Sequence, residues 1–398
     1  MTRPRFTGSF TQQEPIPEEG ITAAVEVLRS GRLHRYNTAP GEESEAAKLE
    51  RDYAAWQGSR YCLAVASGGQ AMQIALRAAG VRPGDRILTN AFTLAPVPGA
   101  IAAVGAEPVL VEITESLVLD LDDLAAKARA SGATVLLLSH MRGHLCDMDR
   151  LAALAEETGL TMIEDCAHTM GAQWNGRRSG SFGLAGCFST QTYKHLNAGE
   201  GGLLTSDDPA FMARAIMLSG SYMLYERHGA GPAPEAYADI RLDTPNMSAR
   251  MDNLRAAILR PQLARIDDAI RRWNERYDRV AARLAGHDAI RLPERPPQEL
   301  YVGSSIQFLV PGLSAQAARA FVADCATRGV ELKWFGAAEP VGFTSAHRSW
   351  RYVPAQSVPA TDSILSGLFD MRLPLTFGLD DCDVVAQHIL DAAAALRS

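Results

Sequence analysis

Residues 186–202 read Gly-Cys-Phe-Ser-Thr-Gln-Thr-Tyr-Lys-His-Leu-Asn-Ala-Gly-Glu-Gly-Gly, with Lys194 set among small and polar residues shortly before a glycine-rich turn. Such surroundings are poor for a solvated surface charge. They suit an amine held at the end of a strand, where it can form a Schiff base with an aldehyde. The aldehyde that proteins most often hold in this way is pyridoxal phosphate, an electron sink for carbanion chemistry. The rest of the chain should then supply a phosphate-binding loop, a partner for the pyridinium nitrogen and a second domain.

Length and composition indicate a globular protein of more than one domain. The chain has 398 residues, of which 47% are hydrophobic and 21% charged, so two domains are expected. The net charge of −7, without a lysine- or arginine-rich run, argues against nucleic acid as the main partner.

Targeting and metal signals are missing from the sequence. No apolar stretch reaches the length of a membrane span, and the first residues lack the apolar core of a secretory signal. The six cysteines are scattered without a Cys-x-x-Cys pair, which indicates reduced, mostly buried thiols. We therefore expect a cytoplasmic protein with no membrane partner, and no spacing of His and Cys predicts a metal site.

Short apolar runs alternate with helical patterns between about residue 60 and residue 205. This alternation predicts a mainly parallel sheet covered by helices on both faces. The predicted strands lie at 61–65, 86–89, 107–111, 134–138 and 160–164, and the predicted helices at 70–79, 94–104, 120–129 and 148–158.

The rhythm changes after this region. Residues 220–246 are rich in Gly, Pro and aromatic residues, which predicts a long irregular segment of the kind that is usually functional or mobile. A long helical pattern covers 248–284, with an interruption expected near Pro261. The predicted elements beyond it are strands at 304–310 and 330–334 and a helix at 315–327.

The predicted fold is therefore α/β, with two domains. Residues 1–265 form a large domain that includes an N-terminal arm, and residues 266–398 form a small C-terminal α+β domain.

A candidate phosphate loop, Ser67-Gly68-Gly69, lies between a predicted strand and a predicted helix. Free backbone N–H groups and the helix dipole bind phosphate at such a point, and glycine lets the phosphate come close. An ordinary glycine turn is the alternative.

Candidate cofactor partners follow other strands. Asp165 ends an apolar strand, on the side where α/β sheets bind ligands, and can pair with a protonated pyridinium nitrogen. His168 can hydrogen-bond the ring hydroxyl, and Ser189, five residues before Lys194, can donate to phosphate. The alternatives are a solvated loop carboxylate, a satisfied histidine and a serine in a turn.

Together these motifs are stronger evidence than any one of them alone. The phosphate loop, the acidic residue at the strand end and the lysine follow one another along the chain at separations of about 100 and about 30 residues. With Gly183, Phe188-Ser189 and the Gly199–Gly202 turn, they make the chain similar to the DegT/DnrJ/EryC1/StrS family of sugar aminotransferases, which are fold-type-I pyridoxal phosphate enzymes. The resemblance runs from about residue 30 to residue 263. It is weaker over the last hundred residues, apart from Arg372-Leu373-Pro374-Leu375.

The resemblance implies a mainly parallel seven-stranded sheet between helices and a homodimer with shared active sites. It implies an aminotransferase that moves an amino group from an amino acid, glutamate or glutamine, to a keto-sugar, keto-cyclitol or related small ketone in a biosynthetic pathway. It also implies residue roles. Lys194 binds the cofactor and moves protons, Asp165 holds the ring nitrogen and His168 touches the ring hydroxyl. Ala167 packs on a ring face, and the phosphate ligands are Ser67, Gly68, Gly69 and Ser189.

Three departures from the family pattern concern cofactor binding. Position 69 is glycine where the family has threonine, which removes one hydroxyl donor. The family places an aromatic ring after a threonine to stack on the cofactor, whereas here Leu94 follows the threonine and the aromatic residue is Phe92. Ser248 stands where the family has an asparagine that reaches the neighbouring subunit's phosphate.

Other functions remain open at this point. Family members that remove a hydroxyl group have histidine in place of the lysine, and His195 adjoins Lys194, so a pyridoxal phosphate-dependent lyase or dehydratase is the first alternative. A non-catalytic cofactor-binding relative is the second. The acidic chain, which has no obvious basic cluster for binding a diphosphate, favours a smaller or uncharged acceptor. Candidates for shaping the acceptor site are Tyr222, Tyr225, Arg227 and His228, and the alternative is an ordinary surface loop.

Overall fold

A computed structural model describes residues 4–344 and 346–396. Its main sheet has seven strands in the order β1-β9-β8-β5-β4-β2-β3. Only β9 runs against the others, which confirms the mainly parallel sheet. The strands of the described residues are Tyr61–Val65 (β1), Arg86–Asn90 (β2), Glu107–Val111 (β3), Val135–Ser139 (β4), Thr161–Asp165 (β5), Gln173–Trp174 (β6), Arg177–Arg178 (β7), Ala185–Ser189 (β8), Gly202–Ser206 (β9), Glu299–Leu300 (β10), Ser305–Leu309 (β11), Lys333–Trp334 (β12) and Leu368–Arg372 (β13).

Helices cover both faces of this sheet. The α-helices are Glu18–Ser30 (α1), Glu45–Gln57 (α2), Gly68–Ala78 (α3), Pro96–Ala103 (α4), Leu121–Ser131 (α5), Met148–Thr158 (α6), Pro209–Ser219 (α7), Asn253–Leu263 (α8), Ile266–Leu284 (α9), Ala315–Thr327 (α10), Pro359–Ser366 (α11) and Leu379–Ala395 (α12).

The helix predicted from residue 248 begins later, at Asn253. Residues 249–251 run beside β1 instead, where Ala66 N–H donates to the Ala249 carbonyl at 2.8 Å. The Asp252 side chain then accepts the Arg255 N–H and starts α8. Pairing with β1 and this cap therefore override the helical pattern of the first few residues.

Alternate residues of the central strands enter two different cores, one on each face of the sheet. In β4, Leu136 and Leu138 lie in one core, and Val135 and Leu137 lie in the other. Because successive side chains of a strand point to opposite faces, a strand covered on both sides reads as a continuous apolar run.

The C-terminal region has its own antiparallel sheet, in the order β11-β13-β12, and its own core. Phe6 and Phe10 of the N-terminal arm pack on Phe377 in that core. The helix α9 connects the two regions, since Trp273 belongs to the core of the main sheet and Val280 to the C-terminal core. The domain boundary at residue 265 stays a prediction.

No helix within residues 4–344 and 346–396 has the length and apolar character that crossing a membrane requires.

Candidate active site

A cavity of about 410 Å³ opens beside the carboxyl ends of β4, β5 and β8 and the start of α3. This is the edge where α/β sheets bind ligands. The predicted site residues that line it are Ser67, Gly68, Gly69, Leu94, Asp165, Ala167, His168, Ser189 and Lys194.

The candidate phosphate loop forms the first turn of α3. Ser67 Oγ accepts the Gln70 N–H at 3.1 Å, which fixes the start of the helix. A Cβ on Gly68 would lie 2.9 Å from Ser189 Cβ, so only glycine lets the loop rest on the end of β8. A Cβ on Gly69 would meet nothing closer than Ser67 Oγ at 3.8 Å, which leaves space next to the N–H groups of the helix start.

Gly202 at the start of β9 supports the same loop, a role that its place in a glycine-rich turn did not reveal. A Cβ there would lie 2.4 Å from the Ser67 carbonyl and 2.6 Å from the Gly68 nitrogen. The glycine therefore lets backbone pack directly on backbone behind the loop.

Asp165 ends β5 and is buried, with 7% of its surface exposed. Its Oδ1 accepts the Ala167 N–H at 3.1 Å, and its Oδ2 accepts the Ser139 hydroxyl at 3.2 Å. Thr93 in turn donates to Ser139 at 2.7 Å. Burial raises the pKa of Asp165, and the Lys194 ammonium and these hydrogen bonds oppose that rise.

Sequence reasoning missed Ser139 as a support for Asp165. The signal that could have found it is its place at the end of β4, because neighbouring parallel strands end at the same edge of the sheet.

Lys194 projects into the cavity from the loop after β8, with Nζ 3.1 Å from His168 Nε2. Burial lowers the pKa of Lys194 to about 7; Asp165 opposes the shift, and nearby cationic side chains add to it. Burial, followed by the Lys194 charge, holds the pKa of His168 well below its usual value. The pair is therefore an amine that is half neutral near pH 7 beside a neutral imidazole that can accept its hydrogen bond.

His195 is turned to a different environment. Its Nε2 lies 3.1 Å from Ser304 Oγ, and its ring packs edge-on to Trp273. Burial and the adjacent Lys194 lower the pKa of His195 to about 3. Lys194, rather than His195, thus occupies the position next to Asp165 and His168.

Two predicted cofactor residues lie outside the cavity wall formed by the described residues. Phe92 is 2% exposed and packs edge-on to Phe335, with ring centroids 5.0 Å apart. Leu94, in contrast, lies in the wall. Ser248 is exposed, with φ of +50°, and its N–H donates to Asn246 Oδ1 at 2.9 Å.

None of the four candidate residues of the 220–246 segment lines the cavity of the described chain. His228 is instead buried against Glu50, with Nε2 3.1 Å from Oε2. Arg35 pairs with the same carboxylate through two contacts of 2.6 and 2.8 Å. This buried triad ties the segment to the N-terminal part of the chain.

His140, Glu164 and Cys166 come close enough together to hold a metal ion. The Glu164 oxygens already accept backbone N–H groups from Gly180, Phe182 and Gly183, and one lies 2.9 Å from His140 Nε2. The arrangement is that of a carboxylate anchoring a loop.

The cavity residues fit pyridoxal phosphate. An open helix start suits the phosphate, the buried Asp165 carboxylate suits a pyridinium N–H, and the Lys194 amine suits the aldehyde. The fit rests on the chemistry of the donors and on the space left at Gly69.

Comparisons with known proteins agree with this chemistry. Residues 15–390 match the DegT/DnrJ/EryC1/StrS aminotransferase family. Over 277 residues the chain is 34% identical to a pleiotropic regulatory protein of Geobacillus stearothermophilus, covering 68% of this chain and 67% of that protein. Over 403 residues it is 31% identical to the 3-amino-5-hydroxybenzoate synthase of Amycolatopsis mediterranei, covering 97% of each.

A solved structure also resembles this fold over nearly its whole length. The crystal structure of a 3-amino-5-hydroxybenzoic acid synthase matches with a TM-score of 0.83 and 27% identity, covering 97% of this chain and 99% of that chain. The fold-type-I expectation is thereby confirmed. The chain belongs to the DegT/DnrJ/EryC1/StrS family of pyridoxal phosphate-dependent enzymes, and it is an aminotransferase.

Proposed function

We propose that this aminotransferase moves an amino group from glutamate or glutamine to a keto-sugar, a keto-cyclitol or a related small ketone. The observation that carries the reaction type is the placement of Lys194 in the cavity wall together with Asp165, with its Nζ 3.1 Å from His168 Nε2. The family and the aromatic amine in the name of one relative support a small cyclic acceptor.

Lys194 has two tasks in this proposal. As a neutral amine it is the nucleophile that captures the cofactor aldehyde. Once released, it is the base that takes the proton from the donor's α carbon. It is then the acid that returns a proton to the cofactor carbon bonded to the transferred nitrogen. A pKa of about 7 suits both directions, because the side chain is then partly neutral and partly protonated near neutral pH.

Asp165 and His168 set the charge around the ring. When bound, pyridoxal phosphate supplies an electron sink for the carbanion that proton removal creates. The Asp165 carboxylate would keep the ring nitrogen protonated, and Ser139 and Ala167 hold that carboxylate in one orientation. The neutral His168 would hydrogen-bond the ring hydroxyl, while Ser67, Gly68, Gly69 and Ser189 would hold the phosphate.

A dehydratase or lyase is disfavoured by the position of His195. In that reaction the histidine would take the place of the lysine, yet His195 contacts Ser304 and Trp273. A non-catalytic regulator is the other candidate, and the name of the Geobacillus relative is the observation that favours it. Lys194 and Asp165 are both present and line the same cavity, which supports the enzyme.

We also propose a homodimer. The exposed turn at Asn246 and Ser248 lies outside its own chain's cavity, as expected for a segment that reaches a partner's phosphate site. Light scattering would give the mass. Weakened pyridoxal phosphate binding in a Ser248→Ala dimer would support the shared site, and unchanged binding would contradict it.

The reaction is tested by following the visible band of the cofactor-loaded protein. Addition of L-glutamate or L-glutamine should abolish the band, and a productive keto acceptor should restore it. A screen of keto-cyclitols and keto-sugars, free and nucleotide-linked, would then identify the acceptor class. If neither amino acid changes the spectrum of a correctly loaded protein, transamination with these donors is ruled out.

A further inference from the structure

A cationic cluster of Arg142, Lys333 and Arg372 lies around one buried carboxylate, Asp370. Arg142 Nη2 and Lys333 Nζ lie 3.1 and 3.2 Å from Asp370 Oδ2. Arg372 stands two residues after Asp370 on β13, so both side chains emerge on the same face of the strand. Three positive charges therefore share one negative charge.

The two arginines of this cluster line the cavity that holds Lys194. The guanidinium of Arg372 lies 3.9 Å above the ring of Tyr193, the residue next to Lys194. Among the described residues, the carboxylates of the wall are Asp165 and the exposed Glu200, and Asp165 is assigned to the cofactor. The cavity thus holds uncompensated positive charge next to the position of the chemistry.

Arg142 has unused hydrogen-bonding capacity. It is only 6% exposed, yet its Nε has no hydrogen-bond acceptor among the described residues, and its Nη2 meets Asp370 as an ion pair without the alignment of a hydrogen bond. A buried guanidinium N–H without an acceptor is costly, whereas a planar two-oxygen anion satisfies it well.

The backbone at Arg142 adds to this picture. The residue follows β4 in a left-handed conformation, with φ of +56°, which is uncommon for a residue with a side chain. Such backbone strain is typical of ligand-binding positions.

The geometry points to a carboxylate-binding subsite in the cavity, with Arg142 and Arg372 as its direct ligands and with Asp370, itself bound by Lys333, holding Arg142 in place. It rests on the proposed function and adds that one of the two substrates, the amino donor or the keto acceptor, is held through a carboxylate. That carboxylate has two possible sources: the α-carboxylate of the amino donor, or a carboxylate on the acceptor. A cavity of this charge does not select for an uncharged acceptor.

Binding to the cofactor-loaded protein gives the first test and needs no turnover. The probes are benzoate and its neutral counterpart benzamide, measured by calorimetry. We expect benzoate to bind at least about tenfold more tightly than benzamide, since charge-assisted hydrogen bonds are worth about one to two factors of ten. Arg372→Gln and Arg142→Gln should weaken benzoate by about tenfold or more and leave benzamide unchanged.

Matched variants distinguish direct carboxylate binding from the effects of misfolding and of a changed net charge. Arg319→Gln makes the same charge change on the exposed surface of α10 and should change neither probe. Arg372→Lys keeps the charge and should recover part of the benzoate affinity. Because Arg372 forms no ion pair with a described carboxylate, its variants test the subsite even if Arg142→Gln misfolds.

Single-turnover measurements then identify the source of the carboxylate. Slower reaction of Arg372→Gln with L-glutamine, but not with its decarboxylated analogue 4-aminobutanamide, would assign the subsite to the donor. A selective loss with 3-oxocyclohexanecarboxylate, but not with its carboxamide, would assign it to the acceptor.

Two outcomes overturn the subsite: equal binding of benzoate and benzamide, or variants that weaken both probes alike. A protein that does not bind benzoate at all would also overturn the subsite. A wild-type protein that binds benzoate through Arg372 but shows no amino transfer would instead refute the proposed function and leave the subsite standing.

Discussion

The pH at which Lys194 captures pyridoxal phosphate provides a direct test of the site electrostatics. Burial brings the pKa of Lys194 to about 7, so about half of the side chains are neutral at pH 7. An ordinary lysine with a pKa near 10.4 is neutral in only about one molecule in 2500 at that pH. Since only the neutral amine attacks the aldehyde, capture by the protein should level off above about pH 8.

The assay mixes cofactor-free protein with pyridoxal phosphate in a stopped-flow spectrometer between about pH 6 and about pH 9. The control is the reaction of N-α-acetyl-lysine with pyridoxal phosphate, because the cofactor undergoes the same ionisations in both reactions. The rate of the control should keep rising about tenfold per pH unit over this range. Borohydride should then fix the label on Lys194, and Lys194→Ala should bind the cofactor without fixing it. A rate that climbs with pH as steeply as the control, or a label on another residue, would refute the reasoning.

Three further changes test the supports of the site. Gly68→Ala should weaken pyridoxal phosphate binding by about tenfold, because its Cβ would lie 2.9 Å from Ser189 Cβ. Gly69→Ala has open space around its Cβ, so its affinity for the cofactor should stay within about threefold of the wild-type value. Equal losses of affinity in a binding titration would contradict this. Asp165→Asn should slow the half-reaction with L-glutamate by about 100-fold or more, since the ring nitrogen loses its buried partner, and a near-normal rate would remove Asp165 from that role. Glu50→Gln should lower the free energy of unfolding by about 3 to 5 kcal/mol in urea titrations, because it leaves the buried Arg35 unpaired. The pKa of Glu50 is lowered to about 2, so the stability that its ionised carboxylate provides is present above the ordinary carboxyl pKa and is lost as the pH falls towards 2. A wild-type free energy of unfolding that does not change over that pH range would contradict the pairing.

The sequence was sufficient for the parts of the site that lie at the ends of strands. The doubly covered strands appear as continuous apolar runs, so their ends locate Ser67, Asp165 and Ser189 at one edge of the sheet. Lys194 follows from its glycine-rich surroundings, and the structure places it beside His168. Local pattern and tertiary contact agree at these positions.

Other parts depend on contacts between distant segments and leave no local signal. Gly202 is needed because it packs against Ser67, more than 130 residues earlier in the chain. His228 lies in a segment whose composition predicts a long irregular stretch, yet its side chain is buried against Glu50. The cationic cluster combines a turn after β4 with two strands of the C-terminal sheet, so no basic run appears in the sequence.

The cationic cluster and Lys194 are electrostatically coupled, and this coupling gives the subsite a second consequence. Arg142, Arg372 and Lys333 all lower the pKa of Lys194, after burial itself. A carboxylate bound between the two arginines would cancel part of that field and raise the pKa of the Lys194 amine. Lys194 would then be neutral and ready to capture the cofactor while the subsite is empty, and a stronger base once a carboxylate occupies it. The same charges that select the substrate would thus strengthen the base at the step in which a proton must be removed.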